Sequence, residues 1–157
     1  MTREELVRAL REKARVLYEG HEVPHRSCGV ALAETFARDP RPYLTLRRGG
    51  LTGEGLCGAV LAGQMVLGEL LGGDDFTAAA PAALRDALAR YRGAIADRLR
   101  TGDAASLVCN DLVRPFPIFQ SDERAAFCTD IAATVAEIVA EILVDAGAEV
   151  DVTPVRR

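Results

Sequence analysis

Apolar residues recur every three or four positions through most of this chain, which is the spacing of a helix face buried on one side. Leu6, Leu10, Ala14 and Leu17 line up behind a Thr2…Glu5 pair that fits a capping box, and Gly20 supplies a stop. The stretch CGVALAETFARD predicts a second helix, opened near Ser27 and closed before Pro40. RPYLTLRRGG reads as irregular, with Pro40 just before it, Pro42 at its start and a basic cluster towards its end. A third helix is expected from Thr52–Gly55 to about Leu71, where GGDD breaks it. Pro81 opens a fourth helix whose face is Leu84, Leu88, Tyr91, Ile95 and Leu99. AASLVCNDLV predicts a short helix carrying Cys109 near its end, stopped by the prolines of RPFPIF. Ser121 is a good N-cap for the last helix, and Asp122 and Glu123 in its first turn suit the helix dipole. Phe127, Ile131, Val135, Ile138, Val139 and Leu143 give that helix a long apolar face. The tail AEVDVTPVRR is expected as one short strand or as coil.

These elements add up to an all-α fold, a compact bundle of about five or six helices. At 157 residues and 49% hydrophobic, the chain suits one domain built around one core. Within it, residues 1–20 form the N-terminal helix, 27–146 the part that contains all four cysteines, and 147–157 the tail.

Charge and composition narrow the function. The formal net charge is −4, the basic residues are scattered, and aromatics make up 5% with no tryptophan, so nucleic acid is excluded as an expected partner. The longest apolar run, Leu56 to Gly72, is interrupted by Gln64 and Glu69 and falls short of the roughly 20 residues of a membrane span. The N-terminal stretch is charged on every turn and has no apolar core of a signal peptide, so a cytoplasmic location is expected.

In that compartment structural disulfides are rare, so four cysteines point to metal binding, redox chemistry or inert burial. Cys28 follows the proposed N-cap Ser27, and Cys57 follows the glycine-rich GGLTGEGL at a helix start. A thiol there feels the positive end of the dipole, which favours the thiolate, the form that attacks and ligates. Cys128 sits about two turns into the last helix, near the face of Ile131 and Val135, where a cysteine also serves as a small hydrophobe. The cysteines are 29, 52 and 19 residues apart, so no C-x-x-C pair exists and only tertiary folding can bring them together. His25 is separated from Cys28 by two residues and could share a metal with it, whereas His21 has no such neighbour. Gly55 is followed by Leu56 and Cys57 rather than by Lys and Ser or Thr, so the glycine loop is not a phosphate-binding loop. Gly58, Ala59, Ala62 and Gly63 form small pairs four apart, a face on which another helix, or a second copy in a homodimer, could approach closely.

The combination TGEGLCGAVLAGQMVLGELLG, with SCGVALAETF upstream and SLVCNDLV and Arg124–Leu143 downstream, resembles the redox-active family named for its C_GCAxxG_C_C cysteine pattern. The resemblance runs from about Ser27 to Leu143 and extends to the cysteine-rich part of split-Soret cytochromes, without their haem module. It implies that Cys28, Cys57, Cys109 and Cys128 act together in redox chemistry.

Three mechanisms are open. The four cysteines could ligate an iron–sulfur cluster for electron or cluster transfer, with structural zinc a lesser version of the same idea. Alternatively the thiols cycle between dithiol and disulfide, with Cys57 the attacking and therefore catalytic thiol. In the third, the chain is a helical interaction module with cysteines in its core. Four cysteines spread over four elements suit convergence on one centre better than an exchanging pair, so the cluster reading is preferred. A redox partner protein or a small-molecule reductant is then the expected partner.

Overall fold

The computed structural model describes residues 1–157: six α-helices, one 3-10 helix and no strands. They are α1 (Arg3–Glu19), α2 (Cys28–Thr35), the 3-10 helix (Arg41–Leu46), α3 (Gly58–Leu71), α4 (Ala82–Arg98), α5 (Cys109–Val113) and α6 (Asp122–Asp145). The all-α bundle expected from the periodicity is what forms.

Local signals set the ends of α1 and α6. The Thr2 hydroxyl accepts from the Glu5 N–H at 3.2 Å, and the Glu5 carboxylate accepts from the Thr2 N–H at 2.8 Å. Gly20 closes α1 in the left-handed region at φ 77°. Ser121 caps α6 by accepting from the Arg124 N–H at 3.2 Å. α6 is the hub of the bundle, in contact with α1, α2, α3 and α4. Ile131, Val135, Ile138, Val139 and Leu143 are all buried in one core shared with Leu10 and Leu17 of α1 and with Val66 and Leu67 of α3.

The small-residue face of α3 does bring neighbours close. A Cβ on Gly63 would meet Val135 of α6 at 2.8 Å, and the Tyr91 hydroxyl of α4 donates to the Val60 carbonyl at 2.6 Å. No helix is long and apolar enough to cross a membrane.

Four expectations change. α2 stops at Thr35, not just before Pro40, because Ala37 turns left-handed at φ 54° and the Arg38 N–H folds back onto the Ala33 carbonyl at 2.8 Å. RPYLTL is ordered as the 3-10 helix, with Tyr43 fully buried and its hydroxyl donating to Glu69. That bond, with Arg38 3.8 Å from the same carboxylate, accounts for the one acid in an otherwise apolar helix. α3 begins at Gly58, later than expected, and α5 begins at Cys109 instead of carrying that residue near its end. The cause is the same for both: the two preceding segments pair with each other. The tail is coil, pinned where Lys13 donates to the Thr153 hydroxyl at 2.7 Å and Arg26 to the Arg156 carbonyl at 2.6 Å.

Candidate redox centre

The pairing that delays α3 and α5 also assembles the site. Leu56 and Val108 form an isolated antiparallel bridge. Around it the Cys57 N–H donates to the Leu107 carbonyl at 2.7 Å, and the Cys109 N–H to the Gly55 carbonyl at 2.9 Å. The Asn110 N–H bonds the Gly53 carbonyl, also at 2.9 Å. Two cysteines distant in sequence are thus clamped side by side at the starts of two helices. The glycines make room for this. Gly49, at φ 58°, is a conformation that side chains resist, and a Cβ there would lie 2.6 Å from the Cys109 Cβ. A Cβ on Gly58 would lie 2.6 Å from the Cys28 Sγ.

All four cysteines line one cavity of about 50 Å³, together with Tyr18, Arg48, Phe119 and Arg124. All are free thiols. The convergence that the sequence required of tertiary structure is therefore present. No three His, Cys, Asp or Glu side chains are drawn close enough to hold a single metal ion.

Each sulfur has its own surroundings. Cys57 is the N-cap of α3 and is buried; its sulfur makes no capping hydrogen bond, but the Ala59 and Val60 N–H groups at the helix start favour its thiolate, as its position predicts. Burial outweighs them and pushes the thiol up to about 12. Cys28, first residue of α2, is likewise raised by burial, against N–H bonds from Arg48 and Gly29. Cys128, in the second turn of α6, is raised by burial and pulled back by Arg124 and the Tyr18 hydroxyl. Cys109 is half-buried, and the Arg48 Nη1 donates to its sulfur at 3.0 Å.

The two arginines are the part of the site that the sequence did not announce. Arg124 is 9% exposed and donates to the Phe119 carbonyl at 2.6 Å and the Tyr18 hydroxyl at 2.8 Å. Its guanidinium carbon sits 4.1 Å from the centre of the Phe119 ring, and that of Arg48 sits 4.6 Å from it. Both cations are held against the thiols by one aromatic ring. A usable signal existed for Arg124, which precedes Cys128 by one helical turn and so shares its face. Arg48 offered only its place in the basic cluster before the glycine loop.

The histidines lie elsewhere. His21 is exposed beside Glu19 at 3.2 Å. His25 bonds the Tyr18 carbonyl through Nδ1 and stacks edge-on against the Tyr18 ring at 4.8 Å. It does not line the four-thiol cavity.

Comparison with known proteins agrees with this constellation. The family model described as "Putative redox-active protein (C_GCAxxG_C_C)" matches residues 25–142, a span that takes in all four cysteines and both arginines. No curated protein and no solved structure matches the chain. With three-quarters of its length matched, and its four cysteines gathered about one cavity, the chain belongs to the C_GCAxxG_C_C family of redox-active proteins.

Proposed function

We propose that Cys28, Cys57, Cys109 and Cys128 together hold one iron–sulfur cluster, and that the protein transfers electrons through it to a redox partner. The observation that carries this reading is that four thiols from four helices line a single cavity with no imidazole or carboxylate among its walls. An all-sulfur donor set is what such clusters take. At about 50 Å³ the space suits a compact inorganic core and is far below the ~300 Å³ or more of an organic-cofactor pocket.

When bound, the cluster would supply one-electron chemistry. The chain's own residues set the conditions for it. Burial keeps Cys28, Cys57 and Cys128 protonated until a metal displaces the proton, so loading releases protons. Arg48 and Arg124 offset the negative charge that four thiolates bring into a buried site. Ile131, Leu112 and Phe119 limit access of water.

Dithiol exchange is the second reading, and one observation favours a specific form of it. Cys109 is the thiol with a guanidinium donor and partial exposure, so it is the better attacker, and Cys57 the resolving or inert thiol. Two thiols would then give up two protons and two electrons to a small disulfide, which is reduced to two thiols.

The two readings separate on anaerobic purification. Cluster binding predicts brown protein with iron and acid-labile sulfide, bleached by Cys57→Ser. Colourless protein free of iron after anaerobic reconstitution, with thiols that oxidise in pairs, would replace it with exchange.

A further inference from the structure

The four-thiol cavity has a neighbour. A cleft of about 310 Å³, open to solvent, shares Tyr18, Cys28, Phe119 and Arg124 with it and adds Arg47, His25 and Gln120. The volume is at the lower end of small-molecule sites.

Its charge runs against the rest of the chain, whose formal net charge is −4. Arg47, Arg48 and Arg124 all line it, and none is paired with a carboxylate. Half of the chain's arginines pair with acids, as Arg15 does with Glu12, Arg26 with Glu34 and Arg98 with Glu141, and those left unpaired outside the cleft are scattered rather than gathered in one cavity. The cleft's one carboxylate, Glu19, is already taken by Arg15 and His21. Arg124 is the sharper case, because it is 9% exposed: a buried cation whose bonds run only to a carbonyl and a hydroxyl lacks the anion that such a charge normally has. Arg48 commits one N–H to Cys109, and no partner is recorded for its other guanidinium N–H groups. Arg47 is exposed, with no side-chain hydrogen bond.

One further feature of the wall suits the same kind of ligand. α2 starts there at Ser27–Cys28, and the Ser27 side chain does not cap its first turn.

We propose that this cleft binds a small molecule bearing a carboxylate or phosphate group, held by Arg47 and Arg48 with its remainder against Cys28. The anion supplies the counter-charge that the three guanidiniums lack. It also places a small molecule against the wall that the cleft shares with the four-thiol cavity. The site requires the folded thiol form only and stands or falls independently of the cluster.

The test is calorimetric titration of reduced, metal-free protein with inorganic phosphate, inorganic pyrophosphate and succinate, at ionic strength fixed with sodium chloride. Saturable one-to-one binding of at least one of them is expected, and the phosphate and succinate arms assign the class. Arg47→Ala should weaken it at least tenfold and Arg47→Lys less, whereas Arg100→Ala, an exposed arginine outside the cleft, leaves it unchanged. Arg47 is exposed, so R47A folds, which its circular dichroism checks. The proposal is overturned if none of the three anions binds saturably, or if R47A binds as the wild type does. Iron content of aerobic or anaerobic preparations has no bearing on either result.

Discussion

Arg48 and Cys109 are 61 residues apart, yet the guanidinium Nη1 lies 3.0 Å from the thiol sulfur. The contact joins the loop before α3 to the first residue of α5, and it makes Cys109 unlike the other three cysteines. A hydrogen bond to a charged group contributes about 1.5 kcal/mol or more, roughly a factor of ten in a rate. Arg48→Ala is therefore expected to slow iodoacetamide alkylation of Cys109 in the metal-free protein about tenfold, read by peptide mass spectrometry. An unchanged rate would remove Arg48 from the site's chemistry.

Cys57 predicts the opposite behaviour. Its thiol is pushed up to about 12 by burial, against a free value of about 8.5 in the unfolded chain. The folded state therefore holds the proton more tightly, and stability that is full below about pH 8.5 falls as pH rises towards 12. The slope from one such thiol is at most about 1.4 kcal/mol per pH unit. Urea denaturation of metal-free protein at pH 7, 9 and 10 should show the loss, and Cys57→Ala should flatten the curve. Equal slopes for wild type and variant would mean that Cys57 is not buried as drawn.

The glycines give a paired stability prediction. Gly58→Ala places a methyl 2.6 Å from the Cys28 Sγ and against the Leu46 carbonyl, neither of which can withdraw without moving a helix. Overpacking of this kind costs about 1–3 kcal/mol. Gly68, in the same helix, has nothing within 4 Å of its would-be Cβ, so Gly68→Ala should be stabilising by about 0.5–1 kcal/mol. Denaturation midpoints decide the pair; a G58A protein as stable as G68A would refute the close approach of α2 and α3.

The legibility of this molecule divides along the range of the interactions. Thr2 with Glu5, Gly20 and Ser121 act within four residues, so their motifs could be read directly and the structure repeats them. The pairing of residues 53–57 with 107–110 rests on a few backbone bonds between distant segments with no side-chain pattern. That is why the starts of α3 and α5 were misplaced, and with them the position of Cys109 at a helix start. Glu69 is similar: an unexplained acid until Tyr43, 26 residues away, donates to it. Cysteines are few enough to be noticed as a set, whereas Arg48 and Arg124 are two among 19 basic residues, and only their shared contact with Phe119 marks them out.

The final prediction concerns Arg124 and follows from the sign of its charge. A reduced cluster is more negative than an oxidised one by one electron. A buried cation beside it stabilises the reduced form and raises the midpoint potential. Arg124 is the better placed of the two arginines to do this. It is 9% exposed, it lines the same cavity as Cys128, and its own charge has no competing carboxylate. Arg124→Met keeps much of the side-chain volume while removing the charge, so reconstituted R124M should bind iron and show a lower potential in redox titration. Arg100→Met, exposed and remote from the cavity, should leave it unchanged. Loss of the Tyr18 bond will also cost stability, so the comparison is made well below the unfolding temperature, with iron content measured on each sample. An R124M protein with full iron and an unaltered potential would show that Arg124 serves only to join α6 to α1.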